Sequence, residues 1–174
     1  MATELISING QEVRTLKELL RPGLKAIFVG MNPAPHSVEC GHYYQGVHGR
    51  RFWIRIQEHL SDLRPLPAGA EDVDAFAQGF GFADLIRRPT RSIKDLRKEE
   101  WPAAIASLMC RLEILGDKPK IIFTYKKPWE LARRALTEMG LNVLRMPGPY
   151  EKRERMLGMM DELRQALSSD NVKT

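Results

Sequence analysis

The sequence predicts an α/β protein, a three-layer α/β/α domain built around a central, mostly parallel sheet. Three observations lead there. The runs KAIFVGM (25–31), KIIFTY (120–125) and LNVLRM (141–146) are apolar and largely without period-two alternation, as strands covered on both faces should be. Segments with helical spacing of apolar residues stand between them. Buried strands alternating with amphipathic helices make βαβ units, whose crossovers give a parallel sheet with helices on both sides.

The elements follow in order. Residues 9–20 (NGQEVRTLKELL) are predicted as a short opening helix that stops before Pro22-Gly23. The strand 25–31 is followed by a helix at 51–60, with Phe52, Ile56 and Leu60 on one face. A proline-containing linker is expected at 61–70 and a short helix at 73–78. GFGFADLI (79–86) reads as a strand, or a strand entering a loop. Residues 100–115 place Ile105, Leu108, Met109, Leu112 and Leu115 on one helical face. The strand 120–125 precedes a helix at 129–139 carrying Ala132, Ala135, Leu136 and Met139. The strand 141–146 is stopped by Pro147-Gly148-Pro149, and a last helix at about 151–167 carries Met156, Met160, Leu163 and Leu167.

The 174 residues suit one domain over 1–174, with residues 1–10 and 168–174 expected as flexible ends and the protein expected as a monomer. Apolar residues make up 43%, enough for a core, yet no apolar run approaches a membrane span. The N-terminal stretch lacks the basic start and apolar segment of a secretory signal, so the expected compartment is cytoplasmic, with a nucleoid or nuclear home left open. Cys40 and Cys110 read as reduced thiols, and two cysteines do not supply the four thiolates of an iron–sulfur cluster. The net charge of +5 gathers in three groups: Arg50 and Arg51; Arg87, Arg88, Arg91 and Lys94; and Lys152, Arg153 and Arg155. Such clustering favours a polyanionic partner.

Three unusual segments fall at the carboxyl ends of strands, where open α/β sheets bind ligands: VGMNPAPHS, GFADLIRRPT and MPGPYEKR. Asn32 in the first has two readings. Asn followed by Pro suits a helix N-cap, and an amide at that place also suits holding a water. An amide is no general base near neutral pH, so a site built on it needs a positioned water and a good leaving group. The stretch CGHYYQGVHGRRFW (40–53) offers aromatic rings for stacking on a planar ligand, with arginines beside phosphates. A zinc site from Cys40, His42, His36 or His48 matches no closed ligand spacing. No Gly-x-x-x-x-Gly-Lys motif is present, which argues against a phosphate-cradling nucleotide binder.

The order Gly-Met-Asn-Pro, His-Tyr-Tyr-Gln-Gly and Arg-Phe-Trp resembles the mismatch-specific uracil-DNA and thymine-DNA glycosylases. GFGFADLIRRPTRSIKDLRKEE (79–100) is similar to their second block, and MPGPYEKR (146–153) falls where that family has its DNA-intercalating loop. The likeness spans about 20–165. It implies a uracil-DNA glycosylase-like fold, no cofactor and no metal, and double-stranded DNA with a G:U or G:T mismatch as partner. It further implies base flipping, with Asn32 holding the hydrolytic water and Tyr44 stacking on the extruded base. Gly30, Met31, Pro33 and Asp84 would complete the base site. Arg50, Arg51, Arg88, Pro147, Gly148, Tyr150, Lys152 and Arg153 would meet DNA. No lysine in the first block offers a lyase nucleophile, so hydrolysis alone is expected. The chain departs from the family at Ala34, where relatives have Gly, at Asp84, where they have an amide or a base, and at Gly148-Pro149-Tyr150. Excision of a deaminated purine such as hypoxanthine, or DNA binding with little catalysis, are the other readings.

Overall fold

A computed structural model describes residues 3–60, 65–148 and 150–168. Residues 61–64 of the expected linker, Pro149 of the third segment, and residues 1–2 and 169–174 of the expected flexible ends lie outside the described residues. The chain runs β1 (Thr3–Ile8), β2 (Gln11–Leu16), β3 (Ala26–Gly30), α1 (Pro35–Cys40), α2 (Gly46–His59), α3 (Glu71–Ala77), β4 (Phe80–Asp84), α4 (Trp101–Glu113), β5 (Lys120–Phe123), α5 (Lys126–Glu138), β6 (Val143–Arg145) and α6 (Arg153–Ser168). Two short 3-10 turns, Ile93–Asp95 and Lys98–Glu100, lead into α4. Four parallel strands in the order β4-β3-β5-β6 form the central sheet, in register Ala26 with Phe80 and Lys120, and Ile121 with Val143.

Helices cover both faces, giving the three-layer α/β/α fold. On one face Phe28, Phe82 and Ile122 pack with Phe52 and Ile56 of α2 and Met160 and Leu163 of α6. On the other, Ile27, Val29 and Phe123 pack with Leu108 and Leu112 of α4 and Ala132 and Leu136 of α5. β3 and β5 are buried throughout because both faces are covered, which is why their sequences show no alternation. Among the described residues no helix is long and apolar enough to cross a membrane.

One predicted element is corrected. Residues 9–20 are not a helix: β1 and β2 form an antiparallel hairpin that turns at Asn9 (φ 52°) and Gly10 (φ 77°). Asn-Gly is the strongest short signal for a two-residue hairpin turn, because both central residues need positive φ. It outweighs the helical spacing of Val13, Leu16, Leu19 and Leu20. The chain then bridges the sheet's edge, with Leu19 and Phe82 exchanging backbone hydrogen bonds of 3.0 and 3.1 Å.

Phe28 sits at the centre of the first core face, with ring centroids 5.3 Å from Phe52, 6.0 Å from Phe80 and 5.7 Å from Phe82. We expect Phe28→Ala to destabilise the fold by about 3–5 kcal/mol in denaturant titration. A loss below about 1 kcal/mol would show that the aromatic cluster does not hold this face together.

Candidate active site

In the parallel register Gly30 ends β3 directly opposite Asp84 at the end of β4. A cavity of about 100 Å³ opens at these ends, and Gly30, Met31, Asn32, Pro33, Tyr44 and Asp84 all line it. The residues singled out from the first block and from GFADLI therefore meet in one place, although they are far apart along the chain.

Asn32 is not a helix cap. α1 begins at Pro35, its cap position is Ala34, and no side chain caps it. The Asn32 amide instead reaches across to the segment after β4. Its Nδ2 donates to Thr90 Oγ1 at 2.8 Å and to the Arg88 carbonyl at 3.1 Å. With the amine committed, Oδ1 is the atom left to accept a hydrogen bond from a ligand. The two segments are also joined through their backbones, Leu85 N to Gly30 O at 3.0 Å and Ile86 N to Met31 O at 2.8 Å.

Tyr44 adopts a left-handed backbone (φ 55°), an uncommon conformation for a residue with a side chain. Gly49 allows the approach of this turn to α2, since a Cβ there would overlap the Tyr44 carbonyl. One face of the Tyr44 ring stacks on Phe52, with centroids 4.0 Å apart and planes at 25°. Its hydroxyl donates to Thr124 Oγ1 at 3.2 Å. Asp72, buried at the start of α3, fixes the preceding turn by accepting from Tyr43 N at 2.9 Å and pairing with His42 Nδ1 at 2.9 Å. The buried Tyr43 hydroxyl on the cavity wall has no partner among the described residues.

Asp84 is 5% exposed, and among the described residues nothing donates a hydrogen bond to its carboxyl. Its Oδ1 lies over the bare Cα of Gly30, where any Cβ would collide with it. Burial, reinforced by the negative charge of Glu18, pushes its pKa from 3.8 up to about 8, against the opposing pull of Arg111 and Arg87. Burial also holds the Tyr43 and Tyr44 hydroxyls well above 10.

The remaining candidates lie around the rim. Arg51 and Pro147 share a smaller recess beside the cavity, together with Tyr44. Arg55, which the sequence did not single out, anchors that side by donating to the Pro147 carbonyl at 2.9 Å and the Gly148 carbonyl at 3.0 Å. Tyr150 is 86% exposed, and Arg50, Lys152 and Arg153 are exposed as well. Arg88 differs: its guanidinium is paired with Glu100 at 2.9 Å, and its carbonyl serves Asn32. Arg87 is likewise paired, with Glu4 at 2.7 Å. Tyr125, also not singled out, lines both openings. His42 is committed to Asp72, and among the described residues no group of three or more His, Cys, Asp or Glu side chains is arranged to hold a metal.

Comparison with known proteins bears on residues 18–167, which match the family model described as the uracil DNA glycosylase superfamily. A G/U mismatch-specific uracil DNA glycosylase of Schizosaccharomyces pombe (strain 972 / ATCC 24843) is 32% identical over 117 residues. That alignment covers 64% of this chain and 34% of the yeast protein, so the chain spans about a third of the relative it matches. The matched segment contains β3 to β6 and every cavity residue named above from Gly30 to Asp84. The chain belongs to the uracil DNA glycosylase superfamily.

Proposed function

We propose that this chain hydrolyses the N-glycosidic bond of mispaired uracil or thymine in double-stranded DNA, flipping the base into the cavity at the ends of β3 and β4. The observation that carries the reading is the Asn32 amide. Its amine is fixed by Thr90 and Arg88 and its oxygen remains to hold a water. The printed activity of the yeast relative supports the same substrate class.

The chemistry asks little of Asn32 beyond position. Glycosidic cleavage leaves a cation-like sugar and an anionic pyrimidine, so a modest nucleophile suffices if it is held in line. A base in a duplex is unreachable, and extruding it costs a few kcal/mol, least at a mismatch. Two devices offset that cost. The ring of Tyr44, backed by Phe52, has its second face for the base, a stack worth about 1–3 kcal/mol. A side chain of the loop after β6, Tyr150 or Arg153, fills the vacated space in the duplex. Arg50, Arg51, Lys152 and Arg153 supply phosphate contacts. Arg88 acts chiefly through its carbonyl, since its side-chain charge is already paired with Glu100.

The direct assay is a panel of labelled duplexes carrying uracil or thymine opposite guanine, or hypoxanthine, cleaved with alkali after incubation. Release of uracil from the G:U duplex is expected; a protein that releases no base from any duplex refutes the reading. We expect Asn32→Ala to slow excision by about 100-fold or more while duplex binding is retained. Unchanged activity per folded molecule would remove Asn32 from the mechanism. Tyr44→Ala should slow excision from duplex and single strand alike, by roughly 5–100-fold. Tyr150→Ala or Arg153→Ala should slow only the duplex, because a single strand has no stack to open. Equal losses on both substrates for every loop variant would refute the wedge. Affinity for duplex should fall by about 0.9 log units per log unit of salt for each neutralised phosphate.

A further inference from the structure

The cavity contains a group that the proposed hydrolysis does not use: the carboxyl of Asp84, buried on its wall without a partner. The surrounding charges explain why it is alone. Arg111 of α4, the nearest cation, is ion-paired with Glu18. Its remaining donors go to backbone, to the Asp84 carbonyl at 3.2 and 3.1 Å and to the Leu85 carbonyl at 3.4 Å. Glu18 in turn accepts from the Asp84 backbone N–H at 3.4 Å. Arg87 is spent on Glu4 and the Leu16 carbonyl. Both guanidinium groups thus grip neighbouring backbone or the other carboxylates, and neither binds the Asp84 side chain. The other titratable groups facing it are the hydroxyls of Tyr43, Tyr44 and Tyr125, all held neutral chiefly by burial.

Two carboxylates in one buried site with a single shared cation do not both ionise readily; one keeps the proton. Glu18 has the cation in contact and Asp84 does not. The proton therefore resides on Asp84. A neutral carboxyl is a hydrogen-bond donor, whereas an ionised one only accepts.

We propose that Asp84 meets the flipped base as a neutral acid, donating its O–H to a carbonyl oxygen of that base, and that Glu18, fixed by Arg111, is the positioning residue that keeps the proton there. The proposal rests on the glycosylase reading. No proton changes hands: the base departs as an anion, and the O–H of Asp84 strengthens its hydrogen bond as negative charge builds on the carbonyl oxygen. The substrate class is a base with an exocyclic carbonyl, which includes uracil, thymine and hypoxanthine. Ionised, the same carboxyl would set negative charge against that oxygen.

The sign of the pH dependence follows. Asp84 is active protonated, so excision is full below its pKa and falls as pH rises through about 8, roughly tenfold per pH unit. Single-turnover release of uracil from a G:U duplex, measured from neutral to alkaline pH, gives the profile for the wild type, Asp84→Asn and Glu18→Gln. Asp84→Asn keeps a donor that does not titrate, so it should retain activity and lose this descent, leaving only the one due to the substrate's own ring N–H. Glu18→Gln removes the charge that favours the proton, so its descent should move to lower pH by about one unit, an approximately tenfold loss at fixed alkaline pH. Titration of the carboxyl by carbon-13 NMR on aspartate-labelled protein without DNA should show the same downward shift. A descent unchanged in Asp84→Asn, or an Asp84 carboxyl that titrates alike in the wild type and Glu18→Gln, overturns the proposal alone. A wild type that releases no base overturns the glycosylase reading, and this proposal with it.

Discussion

The parallel register that sets Gly30 against Asp84 is the constraint on which the site depends. In a sheet covered on both faces, the only open ground is beyond the strand ends, and two neighbouring strands must end level to make a floor there. The absence of a side chain at Gly30 lets the Asp84 carboxyl lie over the backbone instead of projecting past it. Beyond that pair the chains diverge, one into Asn32 and the other into Arg88 and Thr90, and the Asn32 amine ties them together again. Tyr44 closes the opposite side, held in a strained backbone conformation by the close approach of α2.

The central strands were legible in the sequence because burial on both faces leaves an unbroken apolar run, and β3 and β5 fall within the runs read from it. The helices α2, α4, α5 and α6 bury the apolar stripes read from their spacing, Leu108 and Leu112 or Met160, Leu163 and Leu167 among them. The opening hairpin was misread because Val13, Leu16, Leu19 and Leu20 satisfy helical spacing by accident. In the structure Leu16 packs inward from β2, and Leu19 bridges β4. Asn9-Gly10 was the available signal and should have taken precedence.

The site was legible where residues near in sequence act together, as in Gly-Met-Asn-Pro and the Tyr-Tyr pair. It was illegible where charge is arranged across the fold. Glu18 and Arg111 are separated by the whole first half of the molecule, and nothing in either local sequence marks them as partners. The same holds for Arg55, which lies in a helix read only for its apolar face yet grips the carbonyls of Pro147 and Gly148. The basic groups seen in the sequence divide for the same reason. Arg87 and Arg88 are structural ion pairs, while Arg50, Lys152 and Arg153 stand in solvent.

The hairpin has one more consequence. Most of it precedes residue 18, where the match to the family model begins, yet Leu16 forms part of the cavity wall and Glu4 neutralises Arg87 beside the Glu18 pair. The ancestral catalytic frame and this added ribbon therefore make one pocket between them. Such a ribbon is a place where a lineage can retune the depth and charge of its pocket without touching the sheet, since changes there leave the hydrogen-bonded strands intact. Pocket diversity among relatives of this chain is to be sought in the segment that a comparison of shared cores leaves out.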